Sequence, residues 1–170
     1  MFSQTSEYAL RTIVYLASNQ GQPAITEDIA KATRVPRGYL SKVLQTLGRA
    51  GLVTSHRGLH GGFVLTHAPQ TISVLDVINA VDPLQRIETC PLGIKSHGKK
   101  LCPLHRRMDD ALAQVEKAFA ESTIATLLSE TTTSKPLCSE ENTATRKKPA
   151  QPRAPIQIGP VARPNNRSIR

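Results

Sequence analysis

The sequence predicts a mainly α fold: a winged helix-turn-helix with a long C-terminal dimerisation helix and a disordered tail. Three observations carry this reading. Two helical patterns meet at the break Arg34-Val35-Pro36, and a glycine-rich loop then joins two short β-prone stretches. A long apolar stripe opened by Pro103 precedes a Pro-rich, basic end. Helix, turn, helix, then hairpin is the order of a winged helix-turn-helix, in which the second helix of the pair enters a major groove.

Each element follows from local spacing. Residues 3–20 place Ala9, Leu10, Ile13, Val14, Leu16 and Ala17 at helical intervals, and Gly21 and Pro23 end the run. Thr26 reads as the cap of a short helix over 27–33, with Glu27 and Asp28 facing the positive end of its dipole. A third helix over 37–50 carries Leu40, Val43, Leu44 and Leu47 on one face and stops at Gly51. Stretches 52–55 and 63–66 are β-prone, and His56-Arg57-Gly58-Leu59-His60-Gly61-Gly62 between them makes a hairpin.

Residues 72–81 read as a nearly all-apolar helix capped by Ser73, which must be covered. A loop over 82–101 holds Pro83, Pro91, Gly93 and Gly98. Pro103 suits a first helical turn and opens a helix over 104–128, where Met108, Ala111, Leu112, Val115, Ala118, Phe119, Ile124, Leu127 and Leu128 form one stripe. Such a stripe calls for a partner subunit, or else packs back on the first helix. From Thr131 the apolar period ends and six of the twelve prolines gather with basic clusters, so 131–170 reads as a disordered tail, and Cys138 within it as incidental.

Charge narrows the function classes. The 170 residues carry 22 Lys and Arg against 13 Asp and Glu, a net +9, which favours a polyanionic partner, nucleic acid ahead of an anionic membrane. Residues 1–130 hold 14 basic and 11 acidic side chains, and the tail holds 8 and 2, so two thirds of the excess lies outside the predicted fold. No apolar run approaches the ~18–20 residues of a membrane span. The start, Met1-Phe2-Ser3-Gln4, lacks a secretory pattern, and three cysteines do not make a disulfide scaffold. Without Trp, and with 4% aromatics, a base-stacking or carbohydrate platform is excluded. No Gly-rich nucleotide loop, paired-carboxylate motif or nucleophile elbow is present, so neither an enzyme nor a small-molecule substrate is expected. A cytoplasmic, basic protein remains.

Two constellations carry chemistry. The first is a reading head for duplex DNA: Arg37, Tyr39, Ser41 and Lys42 at the start of the third helix, and Arg57 at the hairpin tip among Gly58, Gly61 and Gly62. Glycines let the backbone come near DNA, and an extended Arg can enter a narrow minor groove. Taken singly, Arg37, Lys42 and Arg49 also fit a solvated basic face; the joint pattern points to DNA. The second is Cys90-Pro91-Leu92-Gly93 and Cys102-Pro103-Leu104-His105, with eleven residues between the two cysteines. Thiolates bind soft metals and iron–sulfur clusters, and imidazole can replace a thiolate. Cys102 and His105 lie three apart at a helix start and can face one centre, with His97 as a spare nitrogen. On spacing alone, buried or merely reactive thiols are the favoured reading over a cluster.

Ser6-Glu7-Tyr8-Ala9-Leu10-Arg11, Tyr39-Leu40-Ser41-Lys42, Leu52-Val53, Arg57-Gly58 with Gly61-Gly62-Phe63, Val77-Ile78 and Cys90-Pro91-Leu92-Gly93 occur in an order that resembles a bacterial regulator family. It is the winged helix-turn-helix family of the iron–sulfur cluster regulator and the nitric-oxide-sensitive repressor (IscR/NsrR-like), and the likeness spans about residues 1–130. The resemblance implies a homodimeric transcription factor on a palindromic operator, with the long helix crossing to the partner. It also implies a [2Fe–2S] cluster before that helix, sensing nitric oxide, oxidants or cluster supply. Members that bind a cluster usually show three cysteines there. Here Cys90 matches the first and Cys102 the third, the middle one is absent, His105 matches a histidine ligand, and Glu7 stands where some relatives supply a carboxylate. Cys90, Cys102, His105 and Glu7 would make a mixed-ligand site, with His97 as the alternate; a cluster-free member with two redox-active thiols is the other outcome.

The sequence therefore divides into a DNA-binding unit (1–81), a cysteine-bearing sensor loop (82–102), a dimerisation helix (103–130) and the tail (131–170). It predicts a DNA-binding transcriptional regulator acting as a repressor. The competing reading is a winged-helix adaptor that binds protein alone.

Overall fold

The computed structural model describes residues 2–19, 21–58, 60–93 and 100–130; His97, Cys138 and the 131–170 tail lie outside them. The first helix, α1 (Gln4–Ser18), starts at Ser3, whose hydroxyl accepts from the Ser6 amide at 3.2 Å. Its predicted apolar face buries Ala9, Ile13, Val14 and Leu16 and is the hub on which later helices pack. Thr12 sits among them without loss because its hydroxyl donates to the Tyr8 carbonyl at 2.7 Å.

The second helix, α2, covers Thr26–Thr33, so Thr26 is inside the helix rather than its cap, and Ile25 caps without a side-chain hydrogen bond. The cause is tertiary. Ala24 pairs with Phe63: the Ala24 amide donates to the Phe63 carbonyl at 3.0 Å and the Phe63 amide to Ala24 at 2.8 Å. This pairing keeps the chain extended up to the residue before α2. Arg34, left-handed at φ 56°, ends α2, and buried Val35 followed by exposed Pro36 leads into α3 (Arg37–Arg49). Leu40, Val43, Leu44 and Leu47 form its buried face, as predicted.

The wing is an antiparallel pair, β1 (Val53–His56) and β2 (Gly62–Leu65), with Val53 opposite Leu65 and His56 opposite Gly62. Each strand sits one residue from its predicted place. The Leu52 amide closes the end of α3 on the Leu47 carbonyl at 3.0 Å, so ladder pairing starts at Val53. A 3₁₀ turn (Pro69–Thr71) then leads to α4 (Val74–Val81). Ser73 caps α4 as predicted, and Asp76 completes a reciprocal box by accepting from the Ser73 amide at 2.8 Å.

The long helix departs most from its sequence pattern. Helix α5 (Pro103–Glu121) ends seven residues earlier than the stripe suggests, and a separate helix, α6 (Ile124–Ser129), follows. Extended Ser122 and Thr123 make the break. The Val74 amide donates to the Ser122 carbonyl at 2.8 Å, the Ile124 amide donates to Ile72 at 2.9 Å, and Thr123 caps α6 by accepting from the Thr126 amide. The break turns Ile124 into the core at 0% exposure, beside Ile72 and α1. By contrast α5 buries no residue fully, and its Leu104 and Met108 are exposed. The two ends of the stripe thus have different fates, one in this chain's core and one at its surface.

A Cβ on Gly62 would lie 2.7–2.9 Å from the Ala24 backbone, whereas one on Gly48, in α3, meets only Val53 O at 3.6 Å. Gly62→Ala is therefore expected to destabilise by about 2 kcal/mol through forced separation of wing and α2. Gly48→Ala should instead stabilise by about 0.5–1 kcal/mol through helix propensity. Urea unfolding midpoints of the two variants check the opposite signs.

Candidate nucleic-acid interface

Burying one face of α3 turns the other outward, and Arg37, Tyr39, Ser41, Lys42, Gln45 and Arg49 are all exposed. The Ser41 hydroxyl donates to the Arg37 carbonyl at 3.1 Å, a bond it can exchange for an external acceptor. Tyr39 is 60% exposed and meets Tyr8 of α1 edge-on, ring centroids 6.2 Å apart. A shallow groove lined by Thr26, Ser41, Lys42, Leu44, Gln45 and Phe63 joins α3 to the start of α2 and the base of the wing. Sequence reasoning missed Thr26, Gln45 and Phe63. Gln45 was within reach, since it lies one helical turn after Ser41; the other two enter through the Ala24–Phe63 pairing.

The wing loop separates its glycines by role. Gly58, at φ +113°, has open space around it, next to exposed Arg57. Gly61 and Gly62 are packed against backbone, Gly61 against His56 and Gly58, Gly62 against Ala24. They serve the shape of the wing itself. Arg57 and Lys42 have no ion-pair partner among the described residues, while Arg37 stands 4.0 Å from Glu27.

The cysteine loop is only partly assembled. Cys102 caps α5, and its Sγ lies 3.4 Å from His105 Nδ1, so the predicted pair does meet. Cys90 is buried in a turn where its carbonyl accepts from the Gly93 amide at 2.9 Å. Glu7 is ion-paired with Arg11 one turn along α1, and Arg11 also donates to the Thr33 carbonyl at 3.3 Å. Among the described residues no three His, Cys, Asp or Glu side chains gather as a metal site. A [2Fe–2S] cluster takes four ligands. The described residues of one chain bring two together, so they do not make that set by themselves.

What ties this loop to α5 is a charged clamp absent from the sequence reading. The Arg86 guanidinium forks onto Asp109, both N–O distances 2.7 Å, and reaches Glu116 at 3.1 Å; the Ile87 amide also donates to Asp109 at 2.9 Å. The bond from Arg86, reinforced by the Ile87 amide, lowers the Asp109 carboxyl to about 2, and the two carboxylates raise Arg86. No described helix is long and apolar enough to cross a membrane.

Residues 2–130 match the Rrf2 family, described as "Iron-dependent Transcriptional regulator". A protein of Aquifex aeolicus provisionally named an HTH-type transcriptional regulator is 32% identical over 131 residues, 75% of this chain and 91% of that protein. An rrf2-like protein of Rhodobacter capsulatus, named in the same provisional way, is 30% identical over 125 residues, 71% and 80% of the two chains. Among solved structures, CymR of B. subtilis, titled the global cysteine regulator, superposes with TM-score 0.63 at 26% identity, covering 75% of this chain and 95% of that one. T. potens IscR shares the fold with TM-score 0.62 at 23% identity, covering 75% and 85%.

Because its folded-state value is lowered, Asp109 contributes stability that is full above the ordinary 3.8 and is lost as the pH falls through about 2. In Arg86→Ala the Asp109 titration should move up toward 3.8, which carboxyl NMR titration reads directly.

Proposed function

The chain belongs to the Rrf2 family and is a DNA-binding transcriptional regulator, not an enzyme, and on that premise we propose that it acts as a cytoplasmic homodimeric repressor of a palindromic operator. The observation that carries the reading is the outward face of α3, joined by one groove to the base of a wing that carries an exposed Arg57 with no ion-pair partner among the described residues. The first turns of α3 supply base-edge contacts through Arg37, Tyr39, Ser41 and Lys42. Arg57 and Gly58 follow the backbone into the adjoining minor groove, while Gly61 and Gly62 shape the tip. In a symmetric pair, two such heads must lie about 34 Å apart to meet successive major grooves. The exposed Leu104 and Met108 of α5 supply the apolar surface for that pairing, as a second copy requires.

The division proposed for the chain is DNA binding by 1–81, sensing by 82–102, dimerisation within 103–130 through the exposed face of α5, and a tail over 131–170 that adds at most non-specific attraction to phosphate. The sensing element is the stretch from Cys90 to His105. Its own groups supply the coupling: a change at Cys102 or His105 sits at the first turn of α5, and Arg86 transmits the loop's position to the second and fourth turns. Shifting α5 alters the spacing of the two heads, and a coupling of ~1–3 kcal/mol suffices for regulation. A [2Fe–2S] cluster held by Cys90, Cys102, His105 and Glu7 would require Cys90 and Glu7 to join the Cys102–His105 pair, with Glu7 leaving Arg11. Anaerobic purification with iron and sulfide assays decides between cluster and bare thiols.

Selection of a duplex from a randomised pool, followed by titration in rising salt, tests the function. Affinity should fall by orders of magnitude between about 50 and 200 mM salt, as expected for several neutralised phosphates. Arg57→Ala should weaken the selected duplex about tenfold. Salt-independent binding, or an unaltered footprint in that variant, would contradict the assignment.

A further inference from the structure

The corner where α2 meets α3 holds an ion pair that the groove alone does not explain. Glu27, in the first turn of α2, places Oε2 4.0 Å from Nη1 of Arg37, the first residue of α3, and the two side chains are 69% and 70% exposed. So open a pair adds little to folding. Its sign is also wrong for a DNA-facing corner. The first amides of α2 receive no side-chain cap from Ile25, and a helix start of this kind attracts phosphate, yet Glu27 and Asp28 occupy it. Thr26, the residue before it, lines the groove with Ser41, Lys42 and Gln45, and Glu27 itself reaches the first residue of α3.

The placement has a purpose if Arg37 must be aimed. Arginine distinguishes guanine by a directional, two-pronged contact with O6 and N7, and the first residues of a recognition helix are those that reach base edges. A long free side chain loses rotamer entropy on docking; a carboxylate beside it narrows the directions it samples. When a matched duplex covers the corner and drives out water, the local dielectric falls and the attraction between Glu27 and Arg37 grows. In a loose, hydrated complex with mismatched DNA the corner stays wet, and Glu27 faces the phosphates as a bare negative charge.

We propose that Glu27 is a specificity-determining residue, which positions Arg37 for a guanine edge of the operator and repels backbone phosphate in complexes out of register. The inference rests on the reading of α3 as the DNA-reading helix. Glu27→Gln keeps the shape and removes the charge. The full chain is titrated with two duplexes, the one most enriched by the wild type from a randomised pool and a scrambled one of equal composition. Affinity for the enriched duplex should fall about fivefold and affinity for the scrambled one rise about twofold, opposite signs that a folding defect would not produce. In an Arg37→Ala background, Glu27→Gln should cause no further loss on the enriched duplex. Glu130→Gln, the same charge change at the exposed end of α6, should leave the ratio unaltered. If Glu27→Gln moves both duplexes the same way or neither, if its loss persists without Arg37, or if Glu130→Gln mimics it, this inference fails while the function stands. A wild-type chain that enriches no duplex would overturn the functional reading itself, and Glu27's role with it.

Discussion

Two backbone hydrogen bonds between Ala24 and Phe63 hold the reading surface together. They fasten the wing to the chain just ahead of α2, and so set the distance between the start of α2, the outer face of α3 and the wing base. The approach is close enough to exclude a side chain at position 62. Without this link the wing would be a two-stranded hairpin, an arrangement of marginal stability by itself. With it, Phe63 is drawn to the core, and Thr26 becomes part of the same groove as Ser41 and Gln45.

A similar backbone tie governs the other end. The bonds Val74 to Ser122 and Ile124 to Ile72 fold the last helix over α1 and the 3₁₀ turn, so the apolar stripe of the C-terminal region is divided. Its end completes the core through Ile124, Leu127 and Leu128, while Phe119 meets Phe2 with ring centroids 5.0 Å apart. Its beginning is left at the surface near Cys102. Surface-exposed and core-forming apolar positions thus lie on one sequence pattern but in two helices.

Between the two ends, residues 82–93 and 100–102 form neither helix nor strand. Arg86, Asp109 and Glu116 link this segment to α5 through bonds partly open to solvent, which give orientation more than stability.

Much of this was legible from residue order. The helical spacing of Ala9, Ile13 and Leu16, the apolar face of α3, the Ser73 cap, the Gly51 stop and the glycine-looped hairpin each depend on neighbours within a few positions, and local sterics and hydrogen bonding decide such features. The exposed α3 residues followed directly, because burying one side of a helix exposes the other. The end of α5 was partly legible too, since Thr123 has a cap's chemistry, but an unbroken apolar period masked it. Other features depended on residues brought together from far along the chain: the entry of α2 at Thr26, the Gly62 contact, the Arg86 clamp, the Glu27–Arg37 corner, and the separation of Cys90 and Glu7 from the Cys102–His105 pair. Sequence alone determined which surfaces are apolar and where the chain turns; tertiary packing decided which distant groups meet, because a hydrogen bond or ion pair depends on ångström-scale distances that periodicity does not encode.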